Sequence, residues 1–177
     1  MFAWQSPTGD ITCYVDSDWG GCLRTRKSTS GGAMVRGGHC LHQWSRTQSN
    51  IALSSGEAEL NAALKGGVEL MGVQNLMLEL GMPSILTLKG DSSACSGTFH
   101  REGCGRIKHL ELKQLWLQQK VKSGSINYIK IPRQANPADS MAKSWSSDGP
   151  GHFAMLSYHA AESTTTTKLQ CLTTGGW

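Results

Sequence analysis

The residues of this chain whose types and spacing best suit chemistry are carboxylates at the ends of its apolar runs. Asp10-Ile-Thr-Cys-Tyr-Val-Asp16 alternates apolar and polar positions and closes on an acid, and Ile85-Leu-Thr-Leu-Lys-Gly-Asp91 does so again. An acid at the carboxyl end of a strand stands where α/β sheets usually hold their ligands. Ser54-Ser-Gly-Glu57-Ala-Glu59 sets two more acids at a helix start, and Asn136-Pro-Ala-Asp139 another. Spacing alone does not choose among them. Asp18 is able to face the same way as Asp16 from one strand end. Glu57 and Glu59 differ by about 200° on a helix, so they cannot share one site. Glu57 is explained as the capping partner of Ser54, and Asp139, taken by itself, reads as a favourable charge at a helix N-terminus.

Other chemistries find less support. His39-Cys40-Leu-His42 and the set Cys95, His100, Cys104 and His109 match no common zinc spacing. The six cysteines include no Cys-x-x-Cys pair, so reduced thiols are expected rather than a disulfide framework. From Arg101 to Arg133 there are eight basic residues (Arg101, Arg106, Lys108, Lys113, Lys120, Lys122, Lys130, Arg133) against Glu102 and Glu111. Such a band can neutralise phosphates, although a charge run is more often a solvated helix face. Trp44, Trp116 and Trp145 could stack on bases, but aromatic residues within strands and helices more often belong to a core.

The elements needed to position these groups are legible in outline. After the first strand comes a polar, basic loop, Arg24 to Ser30, and then a hairpin of Ala33–Arg36 and Leu41–Trp44 around Gly37-Gly38. A long helix starts at the Ser54 capping box and stops before Gly81 and Pro83, weakened at Gly66-Gly67, where small residues permit close packing on a sheet. The strand closing on Asp91 is followed by a short helix from Ser92 to Phe99, a helix from Ile107 to Lys122 ended by Gly124, and a strand from Ser125 to Ile131. A last helix opens with Asn136 as N-cap, Pro137 at the first helical position and Asp139 in the first turn. The order predicts an α/β domain with a mixed sheet, parallel in its second half.

A chain of 177 residues, 38% of them hydrophobic, suffices for one buried core and is short for two. The division expected is a lead-in over 1–10, one domain over 11–144, and a low-complexity, disordered tail over 145–177. Neither a signal peptide nor a run of eighteen apolar residues is present, so a soluble, intracellular protein without a membrane role is expected. The net charge of +4 permits nucleic-acid binding without requiring it.

Five motifs occur in order: Tyr14-Val-Asp16-Ser-Asp18-Trp19, Lys27-Ser-Thr-Ser-Gly31, Ala52-Leu-Ser-Ser-Gly-Glu57-Ala-Glu59-Leu60, Gly90-Asp91-Ser-Ser-Ala94 and Pro137-Ala-Asp139. Together they resemble the ribonuclease H domain of copia-type retrotransposon polyproteins over roughly residues 11 to 144, and Arg106-Ile-Lys-His109 fits the same pattern. The resemblance implies a ribonuclease H-like α/β fold, a five-stranded mixed sheet flanked by helices with the active site at its carboxyl edge. It assigns Asp16, Glu59, Asp91 and Asp139 as catalytic and metal-binding carboxylates around two Mg2+ ions, which Mn2+ can replace. It further implies hydrolysis of the RNA strand of RNA–DNA hybrids, with Arg24, Lys27, Ser28, Arg106, Lys108 and His109 near the substrate. A polymerase domain upstream in the polyprotein and a cytoplasmic, particle-associated setting belong to the same expectation.

Two such ions about 4 Å apart activate a water and stabilise the leaving oxygen of an in-line displacement at phosphorus. Mg2+ takes oxygen ligands, so carboxylates suit it better than histidines or thiolates. The loop Pro132-Arg-Gln-Ala-Asn-Pro137 lacks the histidine that cellular ribonucleases H usually carry there, and Arg133 and His109 are the candidates to stand in for it. The rival readings are a catalytically inactive, hybrid-binding remnant and another nuclease or transposase on the same fold.

Overall fold

The computed structural model describes residues 8–101 and 112–143. Its sheet has five strands: β1 (Asp10–Asp18), β2 (Thr29–Arg36), β3 (His39–Thr47), β4 (Ile85–Gly90) and β5 (Asn127–Lys130), in the order β3-β2-β1-β4-β5. The first three form an antiparallel meander, with Gly37 at φ 57° turning the β2–β3 hairpin. β4 and β5 join parallel beside β1, each reached through helices. The helices are α1 (Ser55–Glu79), α2 (Ser93–Phe99), α3 (Leu112–Lys122) and α4 (Asp139–Ala142), with a single 3-10 turn at Arg133–Ala135. This is the expected five-stranded mixed sheet with flanking helices.

Packing of α1 depends on two adjacent glycines, Gly66 against the sheet and Gly67 against α3. A Cβ on Gly66 would come within 2.4 Å of Val15 Cγ1 and 3.0 Å of Leu88 Cδ1, and one on Gly67 within 2.7 Å of Leu117 Cδ1 on α3. The glycines therefore trade about 1 kcal/mol each of helix propensity for a close approach, Gly66 to Cys13, Val15 and Leu88 and Gly67 to Leu117, all in the core. The helix closes through a Schellman arrangement, with Met82 N–H donating to Met77 O (2.8 Å), Gly81 N–H to Leu78 O (3.0 Å), and Gly81 itself at φ 71°.

Trp44 and Trp116 are partly buried against the core, as expected. Trp44 lies over Gly32, its cross-strand partner, where a Cβ would meet the indole at 2.1 Å. Cys13, Cys22, Cys40 and Cys95 are free thiols. No helix among the described residues is long and apolar enough to cross a membrane.

The start of the last helix departs from expectation. Asn136 is not its N-cap and Pro137 is not its first residue; α4 begins at Asp139 after Ala138, with no side-chain cap. The Asn136 side chain is drawn away by the sheet, where its Nδ2 donates to the Val15 carbonyl at 2.9 Å while Oδ1 accepts from Ala138 N–H at 3.2 Å. β1 also continues past Asp16 to Asp18, because β2 pairs with it as far as Thr29. The start of the helix expected from Ile107, and the tail expected over 145–177, lie outside the described residues.

Candidate active site

Three separate elements bring carboxylates to the end of β1. Asp16 sits opposite Gly31 in the β1–β2 ladder and is 5% exposed. Asp91 follows the last residue of β4, whose Gly90 carbonyl accepts from Ile131 N–H at 2.9 Å. Glu59 lies in the first turns of α1, where Ser54 Oγ accepts from Glu57 N–H at 3.2 Å and Glu57 Oε2 accepts from Leu53 N–H at 2.8 Å. One carboxylate oxygen from each of Asp16, Glu59 and Asp91 lies within 4.8 Å of the others, spacing suited to a shared cation, and this is the one such group among the described residues.

Proximity and burial oppose the charged forms of Asp16 and Glu59. Burial, then the charges of Asp91 and Asp139, push Asp16 up from 3.8 to about 7. Burial, then Asp16 and Asp91, push Glu59 up from 4.5 to about 8. Like charges in a partly buried cluster do this because ionising one disfavours the next.

Asp139 is close enough for its charge to raise Asp16 but is not part of the 4.8 Å group. Arg133 donates to its Oδ1 from Nε at 3.1 Å and Nη2 at 3.0 Å, and Lys143 donates to Oδ2. Burial alone would raise Asp139, yet the hydrogen bonds from Lys143 and Arg133 outweigh it and hold its carboxyl below the ordinary carboxylate range. Two contacts set the position of α4. A Cβ on Gly31 would meet three backbone atoms of the α4 region, Ala142 N at 2.5 Å, Met141 C at 2.7 Å and Ala138 O at 2.8 Å. Asn136, gripping the carbonyl of the residue before Asp16, is the other.

The rival acids have other occupations. Asp18 Oδ1 accepts from Thr29 N–H and closes the end of the β1–β2 ladder. Glu57 belongs to the helix cap, although it reaches Leu53 N–H rather than Ser54 N–H.

Of the expected substrate contacts, Arg24 is exposed and Lys27 half-buried. Ser28 is fully buried, and its Oγ accepts from Gly20 N–H at 3.0 Å, so it braces the loop. Arg106, Lys108 and His109, with Cys104 and Trp145, lie outside the described residues. Further along the basic band, Lys113, Lys122, Lys130 and Arg133 are exposed. Cys40 Sγ contacts His42 O at 3.7 Å and His42 stacks on Trp44, so these hairpin residues pack locally. Lys143 and Gln48 were not singled out from sequence. Lys143 stands four residues after Asp139, a helical ion-pair spacing that could have flagged it.

No family model matches the chain. It is 29% identical over 151 residues to the Retrovirus-related Pol polyprotein from transposon TNT 1-94 of Nicotiana tabacum, covering 78% of this chain and 11% of that protein. To the corresponding polyprotein from transposon RE2 of Arabidopsis thaliana it is 27% identical over 150 residues, covering 81% of this chain and 10% of the relative. The chain thus spans about a tenth of the length of these curated relatives. Among solved structures it is similar to LC11-RNase H1, isolated from compost by a metagenomic approach, with a TM-score of 0.59 at 17% identity over 76% of this chain and 93% of the other. The same enzyme in complex with an RNA/DNA hybrid gives 0.51 at 18% identity, over 75% and 93%. At these identities the structures speak for the fold, which is that of ribonuclease H.

Proposed function

From a chain homologous to the Pol polyproteins of plant transposons and folded as a ribonuclease H, which fits the ribonuclease H domain of a copia-type polyprotein, we propose a metal-dependent endonuclease that cuts the RNA strand of RNA–DNA hybrids. The observation carrying this reading is the meeting of Asp16, Glu59 and Asp91 within 4.8 Å at the carboxyl ends of β1 and β4.

The donor set fits a hard divalent cation. All three side chains offer oxygen only, and their mutual repulsion is what a bound cation would relieve. Asp16, Glu59 and Asp91 would hold it, with Asp139 beside a second. When bound, Mg2+ supplies activation of water and charge stabilisation at phosphorus.

The chain's own part is placement. Asn136 and Gly31 set Asp139 against the Asp16 end of β1, and Arg133, two-thirds exposed, brings a guanidinium to the rim where a phosphate would lie. Exposed Arg24, Lys113, Lys122 and Lys130 extend positive charge outward to track a backbone independently of sequence. The hybrid as substrate is supported by the LC11-RNase H1 complex, and a polymerase domain in the same polyprotein by the relatives' Pol character.

The test is a panel of end-labelled substrates with Mg2+ or EDTA: RNA in a hybrid, RNA duplex and DNA duplex. Cleavage confined to hybrid RNA and abolished by EDTA is expected. Tight binding of hybrid without cleavage would instead establish a binding module, and cutting of duplex DNA a different nuclease.

A further inference from the structure

Gln48 stands just beyond β3 in a Thr-Gln-Ser-Asn stretch with no motif of its own, yet it is a buried amide whose nitrogen and oxygen are both hydrogen-bonded. Nε2 donates to Ser30 Oγ at 3.0 Å and to the Ala58 carbonyl at 2.9 Å. Oε1 accepts from Asn61 Nδ2 at 3.3 Å, and Asn61 Oδ1 accepts in turn from Gln114 on α3 at 3.2 Å. Its backbone N–H donates to Ser28 O at 2.7 Å.

The two Nε2 bonds join particular places. Ser30 is the ladder partner of Ser17, the residue after Asp16, and Ala58 is the residue before Glu59. A single rigid amide thus ties the strand end carrying one carboxylate to the helical turn carrying another. Like-charged carboxylates gathered within 4.8 Å repel, so something must hold their backbones together against that force. We infer that Gln48 is a positioning residue that fixes the separation of Asp16 and Glu59, and through it the affinity of the carboxylate cluster for a divalent cation. The inference rests on the metal-binding reading of that cluster and deepens it. Hydrogen-bonding partners that orient metal ligands contribute about 10–100-fold in metal affinity. Gln48 acts through backbone rather than on a ligand atom, so the lower end of that range applies.

The experiment is calorimetric titration of the full chain with Mg2+ and with Mn2+ at pH 8, alongside thermal unfolding in EDTA. Gln48→Met, close in shape but without the amide, is expected to bind about tenfold more weakly than wild type. Ser30→Ala, which removes one anchor, is expected to shift affinity the same way by less. The control is Gln118→Met. Gln118 is also buried but donates to Thr98 O and Arg101 O at 2.8 Å, outside the segments that carry Asp16 and Glu59, so its loss is expected to lower thermal stability with metal affinity unchanged. Wild-type affinity in Gln48→Met overturns the inference, as does equal weakening in Gln118→Met. Should Gln48→Met fail to fold, Ser30→Ala decides, and unchanged affinity there overturns it. Wild type that binds neither metal overturns both this inference and the nuclease reading, whereas metal-binding, hybrid-cutting wild type with an unaffected Gln48→Met overturns this one alone.

Discussion

Gly31→Ala is the smallest change that should separate Asp139 from Asp16 while leaving every carboxylate in the chain. The added methyl carbon would stand 2.5 Å from Ala142 N, 2.7 Å from Met141 C and 2.8 Å from Ala138 O. All three are backbone atoms, so no rotamer change relieves the overlap. Comfortable contact begins near 3.5 Å, and the segment around α4 must therefore retreat by about 1 Å. Overpacking of this kind costs about 1–3 kcal/mol. A misplacement of about 1 Å at a reacting centre costs on the order of 10²-fold in rate. Urea denaturation measures the first quantity, and cleavage of hybrid under saturating Mg2+ the second. Activity is expected to fall far more than the folded population does. A Gly31→Ala protein within about 0.5 kcal/mol of wild type and within about threefold of its cleavage rate would refute the idea that α4 is seated through this glycine.

Two glycines of α1 give opposite signs: Gly72 has open space around it, so Gly72→Ala should stabilise by about 1 kcal/mol, whereas Gly66→Ala meets Val15 at 2.4 Å and should destabilise despite the same gain in helix propensity. Urea midpoints of the pair check this. Asn136→Ala removes the buried bond to the Val15 carbonyl and should cost about 1–3 kcal/mol in the same measurement, with a disproportionate loss of cleavage. In EDTA, thermal stability should fall as pH rises from about 4 to about 8. Asp16 and Glu59 titrate near 7 and 8 in the fold against 3.8 and 4.5 ordinarily, so in that window the folded state binds more protons than the unfolded one. Adding Mg2+ at pH 8 should recover about 2.7 kcal/mol at a hundredfold excess over Kd, a rise of roughly 5–10 °C in Tm. Identical melting curves with Mg2+ and EDTA at pH 8 would count against a cation site.

What could be read in the sequence was mostly local. Alternation located β1 and β4 with an acid at each end, the Ser54 cap marked the start of α1, and Gly37, Gly81 and Gly124 marked turns where positive φ is required. Local rules failed where a distant partner won. Asn136 satisfies every local criterion for an N-cap, but its amide is claimed by Val15, 121 residues away in sequence. Ser28 carries no sign of burial after Arg26 and Lys27, yet it is buried with its hydroxyl oxygen accepting from Gly20 across a loop. Gln48 lies outside any periodic run, and its four partners come from α1, β2 and the loop before it. The choice of Asp16 over Asp18 came from motif register; the structure adds a reason, since Asp18 is engaged with Thr29 N–H.

The most direct measurement compares hybrid cleavage by Asp16→Asn, Glu59→Gln, Asp91→Asn and Asp139→Asn with that by Glu57→Gln, in Mg2+ and with each variant's fold verified by circular dichroism. Loss of at least about 10²-fold in each of the four, with Glu57→Gln remaining near wild type, is the predicted result. Near-wild-type cutting by well-folded Asp16→Asn, Glu59→Gln and Asp91→Asn would contradict it, since those three carboxylates would then share a corner of the fold without sharing a cation.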